Sequence, residues 1–196
     1  MTPLVHLRAR VSARAIIAFA AAALVAVQCG TAPAPVSPGA AAFDTVYRVL
    51  QHPRCANCHP IGNRPHVGDH GETHPQNVQR GTEGTGRFAM RCSTCHQPQN
   101  TDGPHLPPGA PHWQLPKPDM PLVFEGRSRA DLARQLADPL QNGNRTPEQL
   151  IEHVTQDPLV LWGWDPGPGR APVDVPHADF VAAFRTWVDG GCAVPP

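Results

Sequence analysis

Two pentapeptides limit what this chain can fold into: Cys55-Ala-Asn-Cys58-His59 and Cys92-Ser-Thr-Cys95-His96. Each reads C-x-x-C-H, the attachment pattern of c-type haem. Two thiols this close on one turn can each bond one vinyl group of the same porphyrin. The adjacent histidine then lies under the iron. The competing reading is a zinc module, because paired C-x2-C is also zinc spacing. Here residues 59–91 lie between the pairs, longer than ribbon spacing. A histidine after both pairs also has no role in a four-thiolate site. The spacing therefore predicts two covalent haem c groups. Cys55, Cys58, Cys92 and Cys95 are the attachment thiols, and His59 and His96 the proximal iron ligands.

Residues 1–34 read as a secretory signal peptide whose cleavage point is open. Arg8, Arg10 and Arg14 form its charged region, and Ala15 to Val27 an apolar region short for a membrane span. Export fits the motif, since bacteria attach c-type haem outside the cytoplasmic membrane. The expected location is the periplasm. Membrane tethering would follow only from an uncleaved leader or from lipidation of Cys29, whose neighbour Gln28 is large for a lipoprotein signal.

Without the leader, 13 basic residues face 16 acidic ones, a net of −3. Nothing in that balance suggests nucleic acid, which requires a basic face, and it suits a redox partner with a basic rim. Lys117 is the one lysine. Arginine forks to carboxylates, so Arg64, Arg80, Arg87 and Arg91 are candidates for the haem propionates, with solvated arginine as the alternative.

The mature region, 35–196, reads as mostly α with long irregular loops. Helical spacing predicts a first helix over 41–51, through Phe43, Val46, Val49 and Leu50, stopped by His52-Pro53. A helix delivering the chain to C-x-x-C-H is how small cytochromes c open. Residues 61–91 and 97–126 lack apolar periodicity, and such loops make sense wrapped on haem faces. With aromatic residues at 6% and 25 prolines, the polypeptide core is expected to be thin and stapled by the haems. Ser128 with Asp131, and Thr146 with Gln149, read as capping boxes opening two helices. A final helix is expected over 177–189, with Gly190 as its stop. Trp162 and Trp164 read as core residues whose indole N–H groups could also reach propionates.

With these residues in place, the chain resembles a family of small exported dihaem c-type cytochromes. That family is often labelled as a subunit or companion of isoquinoline 1-oxidoreductase-type molybdenum hydroxylases. The matching stretches are 49–60 (VLQHPRCANCHP), His74 with 77–81 (NVQRG), 91–96 (RCSTCH), 109–113 (GAPHW), 142–146 (NGNRT) and 157–164 (DPLVLWGW). The resemblance implies a compact dihaem cytochrome c-like domain and a molybdenum hydroxylase as redox partner. Relatives tend to carry a cysteine where Ala133 stands, a natural partner for Cys192. Cys192 is then expected as a free thiol or a link between two chains.

The distal iron ligands are more open. Eight histidines of the mature region lie outside the motifs: 52, 66, 70, 74, 105, 112, 153 and 177. His74 stands out through the matching stretch and through a loop long enough to fold over the first haem. Met120, in Asp119-Met120-Pro121, resembles the methionine that supplies the sixth ligand in small cytochromes c, here reaching the second haem. His153, on a helix, is the third candidate. No Ser/His/Asp set or carboxylate pair argues for hydrolysis. The expected function is electron relay from a periplasmic dehydrogenase. A haem enzyme or gas or redox sensor with one open iron is the alternative, and the zinc-binding module the second.

Overall fold

Ser37 and Pro38 start the first helix three residues earlier than apolar spacing alone predicts. In the computed structural model, which describes residues 35–103 and 105–196, helix α1 runs Pro38–Gln51. The backbone N–H of Ala40 donates to Ser37 Oγ, and Pro38 fills a first-turn position that needs no N–H. The expected leader, 1–34, and Cys29 lie outside the described residues. His52 turns extended and ends α1, and α2 (Pro53–Ala56) begins at once, carrying Cys55.

The architecture is mostly helical with long loops and little sheet. Besides α1 and α2 the described residues form α3 (Arg129–Ala137), α4 (Pro147–Gln156), α5 (Pro158–Leu161) and α6 (His177–Asp189). The two expected caps differ in completeness. Thr146 and Gln149 make both bonds of a capping box, whereas the Asp131 carboxylate accepts the Ser128 hydroxyl instead of a backbone N–H. Helix α5 is an addition: Asp157 caps a single turn inside the apolar run before Trp162.

Helices α1 and α6 lie against one another at two glycines. A Cβ on Gly39 would stand 3.2 Å from the Gly190 Cα, so a side chain there meets backbone. Gly190 itself is near-helical; the left-handed residue that turns the chain is Gly191, at φ +74°. Phe43, Val46, Leu132, Leu150, Val154, Phe180, Phe184 and Trp187 bury together beneath these helices, and Trp187 is fully enclosed. This core is denser than composition suggested, yet it is local. Among the described residues, no hydrophobic side chain from 56 to 121 belongs to it or packs against it.

That middle stretch holds two short antiparallel ladders. Strand β1 (His66–Val67) pairs with β2 (Glu72–Thr73), and β3 (Gly86–Arg87) with β4 (Met90–Arg91). The second ladder ends directly at Cys92. No helix among the described residues is long and apolar enough to cross a membrane.

Trp187 carries the heaviest share of the core. Trp187→Ala should cost about 3–5 kcal/mol of stability, read as a fall in the urea midpoint followed by far-ultraviolet circular dichroism. A loss below about 1 kcal/mol would mean that the helical cluster does not form as described.

Candidate functional site

Both C-x-x-C-H segments sit on single turns. Cys55 lies on α2, and the Cys58 and His59 amides donate back to the Cys55 carbonyl. Cys92 opens a 3-10 turn, Cys92–Thr94, and the His96 amide donates to the Cys92 carbonyl. The two turns are neighbours. Burial pushes the Cys58 thiol up to about 11, and the charge of nearby Cys92 adds to it. Burial likewise pushes Cys55 up to about 12, reinforced by Cys58. Cys92 is buried, while Cys95 faces solvent.

The two proximal histidines are held in the same way. His59 Nδ1–H donates to the Leu122 carbonyl at 2.7 Å, and the ring stacks on Phe124 at 3.8 Å. His96 Nδ1–H donates to the Pro108 carbonyl at 2.7 Å, and the ring stacks on Trp113 at 4.6 Å. A carbonyl can only accept, so the proton is fixed on Nδ1 and the Nε2 lone pair is left for a metal. Burial pushes His59 down to about 4 against the opposing pull of the Leu122 carbonyl. His96 is lowered by the same cause.

The other histidines separate by which nitrogen they use. His74 Nδ1–H donates to the Pro75 carbonyl, and His153 Nδ1 pairs with the Asp157 carboxylate at 3.0 Å. Both keep Nε2 free, as the proximal pair do. His66 and His177 commit Nε2, to Glu125 and to the Val154 carbonyl. His52 Nδ1 accepts the Arg54 amide, which puts its own proton on Nε2.

The His74 ring lies 6.2 Å from that of His96, centroid to centroid, which puts it beside the histidine of the second motif. His153 is close enough to His59 for the charge of one to oppose that of the other. Met120 closes a turn onto the Lys117 carbonyl, two residues before the Leu122 that tethers His59. Among the described residues, no group of three or more His, Cys, Asp or Glu side chains gathers as a metal cage.

A chain of contacts links the motifs. Trp113, stacked on His96, meets Trp162 edge-on at 5.0 Å, and the Arg54 guanidinium stands 5.6 Å from the Trp162 ring. Arg54 precedes Cys55, is buried, and pairs with Asp69. The Trp162 and Trp164 N–H groups donate to Asn100 Oδ1 and to the Val175 carbonyl.

The arginines differ in placement. Arg80 is 1% exposed and donates to the carbonyls of Pro116 at 2.6 Å and Gly62 at 3.0 Å. It pins loop 61–81 to loop 116–121 in place of an apolar core. Its Nε is buried without a partner. Arg64 is exposed, and Arg87 and Arg91 line a cleft of about 390 Å³ with Phe88, ahead of Cys92. Phe124, Trp113 and Arg54 escaped the sequence reading, because each meets its partner far along the chain. Cys192 is a free, partly buried thiol against the core, which also encloses Ala133.

Comparison with family models, with curated proteins and with solved structures finds no match.

The Arg80 node is testable alone. Arg80→Met leaves two carbonyls without their donor and should cost on the order of 3 kcal/mol. Arg80→Lys should recover little, because an ammonium cannot fork. The measurements are the urea midpoint and the rate of proteolysis within 61–121. An unchanged midpoint and rate in Arg80→Met would show that this arginine does not hold the loops.

Proposed function

We propose that the chain is an exported electron carrier with two covalently attached c-type haems. The observation that carries this reading is the repeated device at the two motifs. Each has a thiol pair on one turn, followed by a histidine whose Nδ1–H is tethered to a carbonyl and whose Nε2 is bare. Haem ligation needs that tautomer and that fixed ring. In this reading Cys55 and Cys58 hold the first group and Cys92 and Cys95 the second, with His59 and His96 as proximal ligands. The groups supply reversible one-electron chemistry when bound. The protein supplies axial ligands, covers the faces with loops 61–91 and 97–126, and keeps the two sites adjacent.

His74, His153 and Met120 are the residues from which the sixth ligands are drawn. Filled sixth positions suit a carrier, whereas an enzyme or sensor leaves one open. The fold then belongs with compact dihaem cytochrome c-like domains. The resemblance in sequence supports a periplasmic molybdenum hydroxylase as electron donor, met through an acidic surface.

Protein matured in a host with c-haem machinery should show two haems by mass spectrometry and pyridine haemochrome. Replacing Cys92 and Cys95 with Ala should remove one. The reduced protein should be reoxidised rapidly by a soluble cytochrome and slowly by peroxide. A stable zinc-loaded protein without haem would end this reading, and rapid peroxide turnover would turn it toward an enzyme.

A further inference from the structure

We infer that His74 is the sixth ligand of the iron attached at Cys92 and Cys95, opposite His96. This rests on the dihaem reading and specifies which side chain closes the second site. The spacing of the two rings is the one an axial pair would require. Two metal–imidazole bonds of about 2 Å, plus about 1.1 Å from each ligating nitrogen to its ring centre, span about 6.2 Å. The rings of His74 and His96 stand 6.2 Å apart.

Both rings are held from outside. His74 Nδ1–H donates to the Pro75 carbonyl and His96 Nδ1–H to the Pro108 carbonyl, each at 2.7 Å. Each ring therefore presents an unprotonated Nε2, the form that binds iron. The tether on His74 is local, to the next residue. It orients the ring without drawing on the helical core, and the ladder of β1 with β2 ends at Thr73 directly before it. A methionine such as Met120 is then not needed at this iron.

The 66° angle between the ring planes adds a signature. Steeply crossed imidazole planes keep the iron orbitals that carry the unpaired electron nearly equal in energy. The oxidised second haem should then give a strongly anisotropic low-spin electron paramagnetic resonance signal, and not the rhombic signal of parallel rings.

The test uses full-length protein matured with its haems. His74→Ala should keep two haems by pyridine haemochrome. One of the two should lose its low-spin signal and bind carbon monoxide when reduced. With Cys92 and Cys95 also replaced by Ala, His74→Ala should leave the spectrum of the remaining haem unchanged. His74→Met should restore six-coordination to the second iron, raise its potential and add near-infrared methionine-to-iron absorption beyond that of the wild type. This variant carries the test if the alanine variant fails to mature. If two haems are present and His74→Ala leaves both low-spin and closed to carbon monoxide, the assignment is wrong while the dihaem reading stands. If the effect falls on the first haem, the assignment is also wrong. If no haem is attached to the wild type, both fall together.

Discussion

The candidate site depends on where four imidazole protons are held. His59, His74, His96 and His153 each commit Nδ1 to a fixed oxygen, three of them to backbone carbonyls. A backbone acceptor fixes a ring only if the loop carrying it is itself fixed. The loops through Pro108 and Leu122 are therefore structural parts of the site. What holds them is polar: the buried Arg80 fork, the Asn100 side chain accepting from both Trp162 and the Gly109 amide, and the stacked rings of Phe124 and Trp113. A chain poor in apolar residues between Cys55 and Leu122 has few other means of ordering that stretch.

The helices were legible because their signals are local. Ser128, Thr146 and Pro147 mark starts, His52-Pro53 marks a stop, and Phe180, Phe184 and Trp187 repeat at helical spacing. The early start of α1 and the single turn of α5 were not, since a serine–proline pair and a four-residue run carry no periodicity. At the site, the motif fixed six residues and nothing more. The rings behind His59 and His96 come from 65 and 17 positions further on, a relation no window of sequence contains.

The remaining placements depend on contacts that no local pattern encodes. The β1–β2 ladder ends directly before His74, whose ring lies beside that of His96. Arg80 looked like a surface cation free to meet a carboxylate, yet it is enclosed and spends its N–H groups on carbonyls. Trp162 and Trp164 likewise find protein acceptors. For Arg80, Trp162 and Trp164 the acceptor is a backbone carbonyl or the Asn100 side chain, brought close only by the fold. Buried donors take what the local chain offers.

The division between a hydrophobic helical half and a polar looped half bears on the order in which such a protein is made. Helices α1 and α6 come from opposite ends of the described chain and share the apolar core, to which the described residues of 56–121 add no hydrophobic side chain. The looped half has no such independent driving force. If haems are attached as proposed, that half would still be open when the thiols meet the porphyrin vinyl groups. The attachment machinery would then find extended, accessible C-x-x-C-H segments tethered to a folded base. Closure of loops 61–91 and 97–126 would follow attachment, making covalent modification the step that commits the chain to its final shape.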